Sequence, residues 1–136
     1  MSVHVTDSEG ATVALGRDLG RRLTAGSVVL LEGPLGAGKT AFARGLAEGV
    51  GCDGDDVSSP TFTVVQEYRG NLRFEHVDLY RLTPAEVDDL ALDDLLEESV
   101  MAVEWPDRWH DAPANALRVT LEPVDHATRR ITIQEA

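Results

Sequence analysis

The octapeptide GPLGAGKT, Gly33 to Thr40, constrains the fold of this chain more than any other stretch. It matches the pattern G-x-x-x-x-G-K-[ST] at Gly33, Gly38, Lys39 and Thr40. Before it stands SVVLL, Ser27 to Leu31, a short β-branched apolar run of the kind buried on both faces of a sheet. After it comes TAFARGLAEGV, a helical stretch that ends near Gly49 and Gly51. A strand, a glycine-rich turn and a helix in that order aim several backbone N–H groups and a positive helix N-terminus at one anion. In such a loop the lysine reaches the β- and γ-phosphates, and the threonine hydroxyl ligates Mg²⁺. The pattern therefore implies a bound nucleotide. Lys39 is the only lysine among the twelve basic residues, so the chain keeps that residue type for this one position.

The remaining chain limits what can accompany the loop. Its 136 residues suffice for one domain with a core of its own. The formal net charge of −12 repels phosphate backbones, which argues against stable binding to nucleic acid without a partner. It suits solubility or docking on a basic partner. The single cysteine, Cys52, rules out an internal disulfide and a cysteine-based zinc site, and is expected to be inert. No apolar run approaches the roughly 18 residues of a membrane span. MSVHVTDSEG lacks the basic flank and apolar core of a secretory signal. A cytoplasmic protein is the expectation.

Along the chain, Asp7 to Leu23 reads as an amphipathic helix, capped by Asp7 or Ser8, with Val13, Leu15, Leu19 and Leu23 on its apolar side and weakened by Gly16 and Gly20. Thr61 to Tyr68 and Leu72 to Leu79 read as strands joined by a hairpin turn at Arg69, Gly70 and Asn71. Thr83, Pro84 and Glu86 open a helix with a heavy acid load, read as a solvated face. Val100 to Val103 is an apolar strand that runs directly into Glu104. Ala116 to Leu121 and Arg129 to Gln134 alternate like a two-stranded hairpin. The order α-β-α-β-β-α-β-β-β implies one α/β domain, a mixed sheet flanked by helices.

Mg²⁺ takes oxygen ligands and few of them from protein. Besides Thr40, the second is expected to be a carboxylate at the end of a buried strand. Glu104 and Asp78 both qualify, and the two can divide the metal and the attacking water between them. His76, two residues before Asp78, shares its strand face and reads as a buried, hydrogen-bonded histidine rather than a ligand. Trp105 and Trp109 read as packing, with Trp105 also able to cover a site beside Glu104. SSPTFT, Ser58 to Thr63, has hydroxyls that could sense a γ-phosphate, although taken alone such residues make turns.

GPLGAGKT, SSPTFTVVQEY, HVDLYRL and VEWPDR occur in this order and spacing, and together they resemble the TsaE family. These are small bacterial P-loop ATPases of tRNA threonylcarbamoyladenosine biosynthesis. The resemblance runs from the first helix to about Arg130. It implies ATP and Mg²⁺ as cofactors and docking on TsaD and TsaB, which act on an adenosine beside the tRNA anticodon, so that tRNA is met only through the complex. It implies hydrolysis of ATP that is slow alone and supports turnover of that machinery indirectly. Carried over by motif, Gly33 and the run Gly36, Ala37, Gly38, Lys39, Thr40 and Ala41 would bind the phosphates. Thr40 and Glu104 would hold Mg²⁺, while Lys39, Asp78 and Thr61 would be catalytic. Trp105 follows the metal acid, and Glu9 and Arg129 fall where family members contact the nucleoside. Many members read GDLGAGKTT, whereas this chain has Pro34 and Ala41, which puts in question only a side-chain hydrogen bond from position 41.

Two other readings share the loop. A small-molecule kinase would need an arginine-bearing lid, and no Arg-rich insertion follows the second helix. A nucleotide-dependent interaction module would bind without turnover. For hydrolysis, an arginine finger could come from Arg44, Arg69, Arg73, Arg81 or a partner.

Overall fold

The central strands are apolar at nearly every position because both of their faces are covered. The computed structural model describes residues 1–57 and 64–135. Among these, seven strands form one sheet: β1 (Ser2–Thr6), β2 (Val28–Glu32), β3 (Val65–Tyr68), β4 (Arg73–Asp78), β5 (Ser99–Glu104), β6 (Leu117–Pro123) and β7 (Arg129–Gln134). Their order is β1-β7-β6-β2-β5-β4-β3. The middle four, β6, β2, β5 and β4, run parallel, and β7, β1 and β3 join antiparallel at the margins. The α/β class and mixed sheet expected from the sequence are thus present.

Alternation along the central strands divides the core. Val29, Leu31, Val100, Ala102 and Phe74 face helices α1 (Glu9–Gly20) and α2 (Lys39–Gly49). Val28, Leu30, Met101, Val103 and Val77 face the other layer. That layer holds α3 (Pro84–Asp89), α4 (Leu92–Leu95) and Trp109, with Val87 and Leu92 buried against the sheet.

Three elements differ from the sequence reading. Strand β1 was not foreseen. Its apolar residues, Val3 and Val5, are exposed, while Thr6 points inward and shares a 2.8 Å hydroxyl–hydroxyl hydrogen bond with Thr12. Its partner β7 lies at the other end of the chain. The acid-rich helix is broken: Thr83 and Glu86 form the expected capping box, but α3 ends at Asp89, Ala91 turns left-handed at φ 52°, and α4 and a 3₁₀ turn at Leu96–Glu98 follow. Like charges one turn apart and the absence of a basic residue in the last turns weaken a continuous helix. The break lets Leu92 reach the core. The glycines of α1 are its contact surface rather than a weakness. A Cβ on Gly16 would lie 2.4 Å from the Phe42 carbonyl oxygen, and one on Gly45 would lie 2.1 Å from that of Val13. The two helix backbones touch where neither has a side chain.

Every loop at the carboxyl ends of the parallel strands opens on one edge of the sheet. Ligands of open α/β sheets bind at that edge. No helix among the described residues is long and apolar enough to cross a membrane.

Candidate functional site

Strand β2 ends at Glu32, and the chain turns through Gly33–Gly38 into α2. Gly38 caps α2 with φ 99°, a conformation that side chains other than glycine disfavour, and it directs the first N–H groups of the helix into a cleft. The cleft has a volume of about 530 Å³. Gly36, Gly38, Lys39, Thr40, Ala41, Glu104, Glu9 and Arg129 line it, together with Ser8, Thr12, Leu35, His126 and Ala127. Ala37 is buried beneath the loop. Gly33 and Trp105 belong to a second hollow of about 300 Å³, which shares Lys39 with the first and adds Glu32, Pro34 and Asp107.

Lys39 is 5% exposed. Its Nζ donates to the Gly33 carbonyl at 2.7 Å, lies 4.0 Å from Glu104 Oε1 and sits 4.3 Å from the centre of the Trp105 ring. Burial pushes the Lys39 ammonium below its usual pKa, and the charges of Glu104 and Asp78 oppose that shift. Trp105 reaches this position from a left-handed backbone, φ 59°, a strain of about 1 kcal/mol for a residue with a Cβ. Its ring packs on Tyr80, with centroids 4.9 Å apart, and the Arg108 guanidinium lies 5.9 Å away.

Glu104 and Asp78 stand opposite each other on β5 and β4. Glu104 is 5% exposed and hydrogen-bonded to His76, Nε2 to Oε2, at 2.7 Å. Glu104 is therefore a buried, partnered acid rather than a solvated strand end. His76 is buried and hydrogen-bonded, as expected. Asp78 is half-buried, and its Oδ1 accepts the Tyr80 N–H at 2.9 Å. Burial raises the Asp78 carboxyl above its ordinary pKa. The Tyr80 N–H opposes this shift and Glu104 reinforces it.

The donor set suits a small hard cation. It consists of the Thr40 hydroxyl and the carboxylates of Glu104 and Asp78, all oxygen. Among the described residues no group of three or more His, Cys, Asp or Glu side chains could hold a metal by itself. A cation here would need ligands from an anion in the cleft, as Mg²⁺ takes them from phosphates.

The outer residues behave differently from the loop. Glu9 lies at the rim, where its Oε1 accepts from Arg44 at 2.9 Å. Arg44 also donates to the Val57 carbonyl at 3.3 Å, so this candidate finger is tied to the rim. Arg73 begins β4, five residues before Asp78 and roughly 17 Å from that end of the sheet. With Arg69 beyond it in the hairpin turn, it stands remote from the cleft. Arg129 donates to the carbonyls of Gly36 at 3.0 Å, Asp125 at 2.8 Å and Thr128 at 3.1 Å, tying the C-terminal hairpin to the phosphate-type loop. Thr61 and the rest of Ser58–Thr63 lie outside the described residues. The sequence reading overlooked Arg108, although it stands in VEWPDR, and the hairpin residues His126 and Ala127, which carry no local signal.

Comparison with known proteins identifies the family. The family model described as threonylcarbamoyl adenosine biosynthesis protein TsaE matches residues 6–131. A Nostoc protein named tRNA threonylcarbamoyladenosine biosynthesis protein TsaE is 41% identical over 137 residues, covering 96% of this chain and 83% of its own. The protein of the same name from Treponema pallidum is 37% identical over 132 residues, covering 95% and 97%. The crystal structure of YdiB from Bacillus subtilis superimposes with a TM-score of 0.80 at 30% identity, covering 98% of this chain and 84% of that one. The strand–loop–helix, the acids at the ends of β4 and β5 and the match over nearly the whole chain make this protein a member of the TsaE family.

Proposed function

We propose that this protein is an Mg²⁺-dependent ATP-binding and ATP-hydrolysing accessory subunit of the TsaB–TsaD machinery for tRNA threonylcarbamoyladenosine. The family ties the chain to that modification. The observation that supports the ATPase reading is the convergence of Lys39, Thr40 and Glu104 on one loop-capped cleft, with Asp78 opposite Glu104 on the neighbouring strand. In this reading the loop amides and Lys39 hold the phosphates, and Lys39 gives up the Gly33 carbonyl to do so. Thr40 and Glu104 hold Mg²⁺, which when bound neutralises charge on the phosphates. Asp78 remains to orient the attacking water and accept its proton, a role that its raised pKa favours. Arg108 and Arg81 follow the site strands, and a partner arginine is the other source of a finger. TsaD and TsaB are the proposed partners and carry the tRNA, in keeping with the net charge of −12. Such a protein works in the cytoplasm.

The test is ATP hydrolysis by the purified protein, alone and with a TsaD–TsaB pair, with Lys39→Ala as control. Stimulation by the pair that disappears in the variant supports the reading. ADP release only on addition of a small acceptor would instead indicate a kinase. Binding without turnover in the presence of both partners would indicate an interaction module.

A further inference from the structure

We infer that His76 is the positioning residue for Glu104, an assignment that rests on the ATP and Mg²⁺ reading above. The two side chains come from adjacent parallel strands. His76 pairs in register with Ala102, two residues before Glu104, so both project from the same sheet face. His76 Nε2 and Glu104 Oε2 are 2.7 Å apart, and His76 has no exposed surface. The Phe74 ring flanks the imidazole, with centroids 6.4 Å apart. Among the described residues Nδ1 is buried without a hydrogen-bond partner.

This asymmetry selects a tautomer. A carboxylate only accepts, so the proton of the short bond belongs to Nε2. Nδ1, with no partner among the described residues, is then the ring's acceptor nitrogen. The tautomer that donates from Nε2 fits the surroundings. Its bond holds Oε2 and leaves Oε1 turned toward Lys39, 4.0 Å away. That distance exceeds a hydrogen bond, so Lys39 pairs with the carboxylate only as a charge. Histidine alone supplies a direct hydrogen bond to the Glu104 side chain among the described residues. A glutamate has three side-chain torsions, and holding one oxygen presents the other to the cleft without loss of order when a cation arrives. The bare Nδ1 is tolerated because the ring is there to hold Glu104.

The inference is tested with H76L, which removes the donor, and H76Q, whose amide can restore it. Mn²⁺ serves as the probe, its binding read by electron paramagnetic resonance with a non-hydrolysable ATP analogue. ATP affinity is measured separately in chelator. For H76L, Mn²⁺ affinity is expected to fall roughly 10- to 100-fold, the range for lost partners of metal ligands, with metal-free ATP affinity unchanged. H76Q is expected to recover most of the loss. In metal-free wild-type protein, ¹⁵N NMR is expected to show the tautomer that carries its proton on Nε2. Wild-type Mn²⁺ affinity in a folded H76L, or equal losses in both variants, would overturn the inference. An Nδ1-protonated ring would also overturn it, even if both variants failed to fold. If wild-type protein binds ATP with no enhancement by metal, the ATP and Mg²⁺ reading itself falls, an outcome distinct from enhancement that H76L leaves intact.

Discussion

Asp78 and Glu104 face each other across adjacent parallel strands, yet their surroundings differ. Glu104 is sealed beneath the loop against His76 and Lys39, whereas Asp78 is half-open and anchored by the Tyr80 N–H. One strand end thus offers a fixed carboxylate and the next a carboxyl with a raised pKa. Pairs of titratable groups driven apart by their environments are a common way to divide roles in a site.

Lys39→Ala is expected to reduce turnover by about 100-fold or more, because the lysine is the one buried cation aimed at the cleft among the described residues. Steady-state hydrolysis checks this. A variant that retains wild-type turnover would refute the role given to the loop.

Arg129→Ala should weaken nucleotide binding by about tenfold, equivalent to ~1.4 kcal/mol. The loss comes from slackening the loop at Gly36, whose carbonyl the guanidinium holds. Titration calorimetry with ATP provides the measurement. Unchanged affinity with a lowered melting temperature would reduce the residue to a strut of the hairpin.

Gly45→Ala should destabilise the fold by at least about 2 kcal/mol, since its new methyl group meets the Val13 carbonyl with no room to move. Gly10→Ala is the control. Only Ser8 Oγ lies near the added carbon, at 3.9 Å, and a helical alanine should add about 0.5 kcal/mol. Denaturant melts of both proteins separate steric overlap from helix propensity.

The buried carboxyl of Glu75, 1% exposed, makes stability fall as pH rises. Burial raises its pKa, Glu67 adds to the shift and Arg73 opposes it. The folded state therefore holds the proton longer than the unfolded state. Stability is full below the ordinary carboxylate pKa and declines as pH climbs through the folded one. Asp78 contributes with the same sign. Glu75→Gln should raise the melting temperature near neutral pH by a few degrees, as about 1 kcal/mol does in a chain of this size. The gain should shrink toward acid pH. Thermal melts across pH would show a constant difference if Glu75 stays ionised throughout.

The sequence carried the architecture of the phosphate-type loop because that architecture is local. The apolar run before it, the glycines within it and the helix after it are separate requirements met within about twenty residues. The same holds for the acid at the end of β5, whose apolar strand announced it, and for the capping box at Thr83 and Glu86. Gly16 and Gly45 were harder to read. Taken singly, a glycine in a helix lowers propensity, and its value appears only when another backbone occupies the space. Strand β1 was hidden because its apolar residues face outward.

By itself the sequence determined the strand–loop–helix unit, the α/β class and the candidate acids, since short-range backbone geometry and side-chain periodicity set all of these. The tertiary structure alone decided that His76 holds Glu104, that Arg129 braces Gly36, and that Arg73 lies at the far end of the sheet. Those relationships join residues 28 and 93 positions apart, or separate residues close in sequence. They follow from the order in which strands share a sheet to bury both faces, which no local pattern encodes.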